Sequence, residues 1–342
     1  MQGIVVHDWT TFDQLNIETL PVPQIDEDKV LIRVQAAGIS FATSLVVGGK
    51  YQVKPPRPFV PGTEVAGIIE AVGPRATRFK VGDRVCAVVD WGALAEFAVA
   101  CEVNVYAIPD ALEFCRAISF TNSYATSAAA LCWPHLLNVK ADDWLLVHGA
   151  TGGVGIAAVE IGKILGARVI ATAGSSAKLE VAQSHGADHL INYGEDDFRA
   201  RVLELTDGLG VNAVYDPVGG EVFMQSLRCM TAEARIMPVG FAGGDVPQIP
   251  ANLLLVKNLI VCGLNMGIYF GWGPRDLRYE YEERMRTHMQ KLFDWFVAGH
   301  INPRVERTYP LSDAFQAMDD VLNRRAMGRI AVVMDEEARR LA

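Results

Sequence analysis

The chain has 342 residues, half of them hydrophobic and 21% charged, the balance of a globular protein with a real core and room for two domains. Its 40 acidic and 31 basic side chains leave a formal charge of −9, which repels phosphate backbones and argues against a nucleic-acid partner. No apolar run reaches the roughly 18 residues of a membrane helix, the start lacks a secretory signal, and six scattered cysteines form no Cys-x-x-Cys pair, so the expectation is a cytoplasmic protein with reduced thiols.

From residue 1 to about 107 the sequence predicts a β-rich, partly closed sheet. Short apolar alternations such as Val30–Val34, Val65–Ile69 and Asp83–Val89 are broken by Pro and Gly, and Gly3–Asp8 reads as a first strand. Pro55, Pro56, Pro58 and Pro61 stiffen one loop. The rhythm then changes to strand–helix alternation. Strands are expected at Trp144–His148, Arg168–Ala173, His189–Asn192, Ala213–Tyr215, Arg235–Val239 and Leu259–Leu264, with helices at Ile156–Leu165 and Ala177–His185. That pattern specifies a parallel sheet covered on both faces. An amphipathic helix at about 277–296 and short strands near Val305 and Ile330–Val333 finish the chain. The late strands have no core of their own and should rejoin the first domain. The expected partition is residues 1–122 and 268–342 for one domain and 123–267 for the other.

The run Gly149-Ala150-Thr151-Gly152-Gly153-Val154-Gly155 lies between an apolar strand and a helix. A dinucleotide pyrophosphate needs a tight turn there, a backbone without side chains, and the unpaired N–H groups of a helix start. A merely connecting glycine turn is the plainer reading, and the βαβ context speaks against it. A site preferring NAD carries Asp or Glu about 20 residues further on. Here the second strand ends in Gly174-Ser175-Ser176-Ala177-Lys178, with Tyr193 after the third strand. Two hydroxyls and an ammonium without a carboxylate suit a 2′-phosphate, so NADPH is the expected cofactor. Ser175 or Ser176 acting only as a helix cap is compatible with that role.

Several motifs in order, Gly49-Lys50-Tyr51, Pro61–Gly67, Val81–Val85, Ala150–Gly155, Gly186-Ala187-Asp188, Asp216–Gly220 and Arg325–Arg329, resemble the zinc-free quinone oxidoreductase (zeta-crystallin-like) branch of the medium-chain dehydrogenase/reductase superfamily. The resemblance implies an α/β protein: a GroES-like partial β-barrel domain plus a Rossmann doubly wound parallel sheet, a nicotinamide in the interdomain cleft and a homodimer. It also implies that Thr126 faces the nicotinamide, that Lys178, Tyr193 and Arg325 (or its neighbour Arg324) surround the 2′-phosphate, and that Gly240, Phe241, Leu264 and Asn265 flank the cofactor. Zinc-dependent members place a cysteine and a Gly-His-Glu triplet where this chain has Ser40 and Gly62-Thr63-Glu64, which removes the metal ligands. Relatives often show Asn, Asp or Tyr at the positions of Ser40, Thr43 and Leu45, so the substrate end here is more apolar.

Without zinc, the easier chemistry is hydride delivery to an electrophilic π-system, with charge developing on a conjugated oxygen. Tyr51 is the first candidate for a donor to that oxygen, against an equally open packing role on the barrel rim. Ser40 and Thr63 are further polar candidates. Phe41, Trp91, Tyr269, Phe270 and Trp272 are candidates for a flat aromatic pocket, and the Gly267–Gly273 segment for a moving one. No histidine is assigned as a general base. The expected activity is NADPH-dependent quinone reduction. Reduction of an enone or acryloyl double bond is the alternative, and a non-catalytic NADPH-binding, crystallin-like role is the reading of another class.

Overall fold

The computed structural model describes residues 1–334, and the chain folds as two compact units. Residues 1–122, 266–294 and 303–334 form one; residues 123–265 and 295–302 form the other.

In the first unit a seven-stranded sheet runs in the order Val305–Pro310, Arg329–Val333, Lys29–Ile39, Glu64–Val72, Arg84–Val88, Val105–Ala107, and Phe97–Cys101 also pairs with Lys29–Ile39. The long strand Lys29–Ile39 changes partner along its length. Residues 29–33 pair with Phe97–Cys101 and residues 36–39 with Arg329–Val333. Its ladder with Glu64–Val72 shifts register at Leu31/Ile32, inside the first of those segments, and at Val34/Ala36, between the two. A strand that switches partners across bulges curls a sheet towards closure, which makes the partial barrel. The strands near the carboxyl end complete it, as expected. Val30, Ile32 and Val34 face the core while Arg33 faces water, the alternation of a half-buried strand. Gly67 is required by crowding, because a Cβ there would sit 2.2 Å from the Arg33 carbonyl oxygen. The first strand is shorter than expected, Gln2–Val5, and pairs with Asn16–Thr19. The expected helix at 277–296 begins later, at Glu282, and runs to Val297, burying Met285, Met289, Leu292 and Phe293. Its entry is occupied by the buried Arg278, ion-paired to Asp90 and Asp276 at 2.8 Å each.

The second unit is built on six parallel strands: β1 (Trp144–Val147), β2 (Arg168–Ala173), β3 (His189–Asn192), β4 (Val211–Asp216), β5 (Met230–Pro238) and β6 (Ile260–Val261). They lie in the order β3-β2-β1-β4-β5-β6. Helices α1 (Gly153–Ile164), α2 (Ser176–Ser184), α3 (Phe198–Leu205), α4 (Gly220–Ser226) and α5 (Ala251–Lys257) alternate with them. Leu146, Ile170, Val214 and Ile236 fill the sheet interior. The sixth strand is much shorter than the expected Leu259–Leu264. Its ladder pairs only Arg235↔Ile260 and Ile236↔Val261, and β5 ends in Pro238, which has no N–H to extend it. Residues 295–302 join this unit, where the Asn302 N–H donates to the buried Glu160 carboxylate of α1. Among the described residues no helix is long and apolar enough to cross a membrane.

Candidate functional site

Strand order reverses direction between β1 and β4, and the glycine run follows β1 at that switch point, the place where parallel α/β sheets bind dinucleotides. Gly149 opens the turn at φ +54°, in the left-handed region that glycine adopts without penalty. Gly155 permits the closest approach: a Cβ there would lie 2.2 Å from the Gly149 carbonyl oxygen. Gly152 caps α1 but has no side chain to bond its first turn. The N–H groups of Gly153, Val154 and Gly155 therefore have no intrahelical acceptor and carry the positive end of the helix dipole. A Cβ on Gly152 would meet only the Gly149 oxygen at 3.5 Å, so the space above the turn is open. Ala150 and Thr151 are buried beneath it. These features fit a pyrophosphate.

The other expected cofactor residues of this unit follow the carboxyl ends of the parallel strands: Gly174, Ser175, Ser176 and Lys178 after β2, Tyr193 after β3, Gly240 and Phe241 after β5, Leu264 and Asn265 after β6. Tyr193 is 42% exposed, and its ring lies 3.4 Å from where a Gly174 Cβ would be. Ser175 is the N-cap of α2, yet its hydroxyl makes no capping bond, so capping does not consume it. Phe241 is 40% exposed beside Gly219. Between these loops, burial pushes the Asp216 carboxyl up to about 6, although it accepts N–H bonds from Val218 and Gly219. Thr126 is buried on the helix Ala125–Cys132. Its neighbour Ser127 donates to the Val154 carbonyl at 2.9 Å and shares a 2.8 Å bond with the Tyr215 hydroxyl. Sequence reasoning missed this tie to the first turn of α1, since a serine in an alanine-rich helix carries no pattern of its own. Arg325 belongs to the first unit, where it pairs with Asp319 and, at 2.6 Å, with Asp320.

In the first unit, Ser40 precedes the helix Phe41–Val47, and its hydroxyl lies 3.3 Å from that of Thr43. Thr63 adjoins Glu64, whose buried carboxylate accepts from Asn122 at 2.6 Å and from the Arg329 guanidinium. A metal does not fit this donor set: two hydroxyls are weak ligands, and the one carboxylate is already engaged by a cation and an amide. Sequence reasoning missed the Glu64–Arg329 pair; an acid and a base each set into an apolar strand was its only trace. Tyr51 is half-buried, with its ring edge-on to Trp272 at 5.7 Å, and burial raises its phenol above the ordinary range, so it stays a proton donor at neutral pH. The expected aromatic group divides. Phe270 and Trp272 are buried, and Trp272 is part of the barrel core. Tyr269 stacks edge-on against Tyr281, while Phe41 and Trp91 are exposed. In the Gly267–Gly273 segment, the Arg278 guanidinium fills the space beside Gly271.

A doubly wound sheet with this glycine turn, joined in one chain to a partly closed barrel, defines the medium-chain dehydrogenase/reductase class. Residues 26–110 match the alcohol dehydrogenase GroES-like domain and residues 153–285 the zinc-binding dehydrogenase domain. The chain belongs to the quinone oxidoreductase branch of this superfamily, and it is an oxidoreductase of the NAD(P)H-dependent kind. It is 36% identical to quinone oxidoreductase-like protein 2 homolog of Nematostella vectensis, over 94% of this chain and 84% of that one. A mycobacterial protein solved with NADPH is 31% identical with a TM-score of 0.88, over 97% and 100% of the two chains. Escherichia coli quinone oxidoreductase, also solved with NADPH, is 28% identical with a TM-score of 0.88, over 97% and 100%.

Proposed function

We propose that the protein is an NADPH-dependent, zinc-independent reductase that acts on quinones. The observation that carries the cofactor choice is the end of β2, where Ser175, Ser176 and Lys178 stand in place of an acidic residue, with Tyr193 alongside. Lys178 supplies a cation for the 2′-phosphate, with the hydroxyls of Ser175, Ser176 and Tyr193 beside it. The amides of residues 153–155 hold the pyrophosphate, and Gly240, Phe241, Leu264 and Asn265 border the rest of the cofactor. Bound NADPH supplies a hydride, which with one proton converts a quinone to its hydroquinone. Tyr51 donates a hydrogen bond to the oxygen on which charge develops, with Ser40 and Thr63 as secondary polar groups.

The relatives named quinone oxidoreductase support the substrate class. Turnover of NADPH with a panel of quinones and enones tests it: quinones should give the higher kcat/KM, and turnover of enones alone would overturn the reading. The same reading includes a cytoplasmic homodimer. On α5 and β6, Leu255, Val256 and Ile260 are 77%, 72% and 43% exposed beside the short edge strand, an apolar face suited to a second copy. Sedimentation equilibrium should return twice the chain mass, and Leu255→Asp should return it to one.

A further inference from the structure

The last residue before the glycine turn, His148, is fully buried, and both of its ring nitrogens are engaged. Nδ1 lies 2.8 Å from the Thr172 hydroxyl on β2, and Nε2 lies 2.8 Å from the Ser226 hydroxyl on α4. The Ser226 hydroxyl has one hydrogen, which it donates to the Val222 carbonyl at 2.8 Å. Towards His148 it is therefore an acceptor, so Nε2 carries the ring proton. Nδ1 is left with its lone pair and accepts from Thr172. The backbone repeats the pattern: the His148 N–H donates to the Tyr215 carbonyl at 3.0 Å, and the Ala150 N–H to the Thr172 carbonyl at 3.1 Å. Phe198 closes the pocket, with its ring edge-on at 5.0 Å.

An apolar side chain would fill this space without needing partners, while a histidine restricts it to one geometry, because two buried hydroxyls must both be answered. We propose that His148 is a positioning residue for cofactor binding: a neutral Nε2–H imidazole, held between Thr172 and Ser226, that fixes the end of β1 against β2 and α4. The Gly149–Gly155 turn is then shaped before the nucleotide arrives, and less ordering is needed on binding. The inference rests on the reading of that turn as the pyrophosphate site.

Two measurements test it. In wild-type protein labelled with 15N-histidine, the His148 signals, assigned by their loss in His148→Asn, should show a protonated Nε2 and an unprotonated Nδ1. A protonated Nδ1 would overturn the assignment. In parallel, dissociation constants for NADPH and NADH are compared across wild type, His148→Phe and His148→Asn. The phenylalanine variant removes both hydrogen bonds and should weaken the two nucleotides by the same factor, on the order of tenfold. The asparagine variant keeps a polar atom near Nδ1 and should recover part of that loss, with the KM for quinone unchanged at saturating NADPH. Wild-type affinity for both nucleotides in folded His148→Phe, or a loss confined to NADPH, would overturn the positioning role alone. Wild type binding neither nucleotide would overturn the pyrophosphate reading as well. Should His148→Phe not fold, His148→Asn and the wild-type tautomer still decide the matter.

Discussion

In the proposed reading the cofactor preference turns on Lys178, because NADPH and NADH differ only in the phosphate it is assigned. Lys178→Ala should weaken NADPH by about 1.5–3 kcal/mol, the range for a hydrogen bond to a charged group, and leave NADH nearly unchanged. Equal losses for the two in a binding titration would remove Lys178 from phosphate recognition. Tyr51 allows an equally clean substitution. Its ring is held by Trp272, and its hydroxyl has no partner among the described residues, so Tyr51→Phe keeps the packing and deletes only the donor. A kcat lowered on the order of 10²-fold with unchanged NADPH affinity is expected; an unchanged kcat/KM would return the residue to packing. His148 leaves a mark on pH stability. Burial pushes its ring down to about 3 from the ordinary 6.5, so the unfolded chain takes up a proton that the folded chain refuses. Its contribution is complete above pH 6.5 and is lost as pH falls towards 3. Asp216 runs the other way: raised from 3.8 to about 6, its contribution is present below 3.8 and lost as pH rises through 6. Between pH 6 and 4.5 the two slopes oppose each other and nearly cancel in wild type, so His148→Phe, which keeps Asp216, isolates the His148 part. Denaturant unfolding from pH 7 to 4.5 should show wild type losing up to about 1.4 kcal/mol per pH unit more than His148→Phe. Parallel profiles would contradict this.

Among the elements, the turn into α1 was the most legible in the sequence, since the spacing of its glycines states a steric requirement directly. Gly155→Ala tests that requirement. The new Cβ would meet the Gly149 carbonyl oxygen at 2.2 Å, and backbone cannot step aside as a side chain does. A loss of about 1–3 kcal/mol in stability together with loss of NADPH binding is expected. Gly263→Ala, where a Cβ meets nothing within 4 Å, should leave the melting temperature unchanged. Equal melting temperatures for both variants and wild type would show that the close approach is not required. Element boundaries were less legible where a partner strand decides them. The apolar run Leu259–Leu264 looks like a full strand in isolation, but the end of β5 at Pro238 limits it to two residues. The start of the helix at Glu282 was hidden for a similar reason, because Arg278 is drawn out of the helical pattern by Asp90, 188 residues earlier in the chain.

For the molecule as a whole, alternation and motif order carried the fold class. The late strands had too little apolar surface to stand alone, and they complete the first unit's sheet by pairing Ile330–Val333 with Ala36–Ile39. Hydrogen-bond partners distant in sequence were not legible. Nothing near Glu64 points to Arg329, and nothing near His148 points to Ser226. That Ser40 and Thr63 are poor metal donors is legible from their identity alone; that Glu64 is engaged by Arg329 and Asn122, which leaves this carboxylate unsuited to a metal, is not. The most direct test of a zinc-independent NADPH reductase is steady-state quinone reduction after exhaustive chelation, run with NADPH and with NADH. Full activity after chelation and a kcat/KM for NADPH at least about tenfold above that for NADH are predicted, the ratio expected for one charge-assisted contact. Stoichiometric zinc whose removal abolishes turnover, or equal use of the two cofactors, would contradict the account.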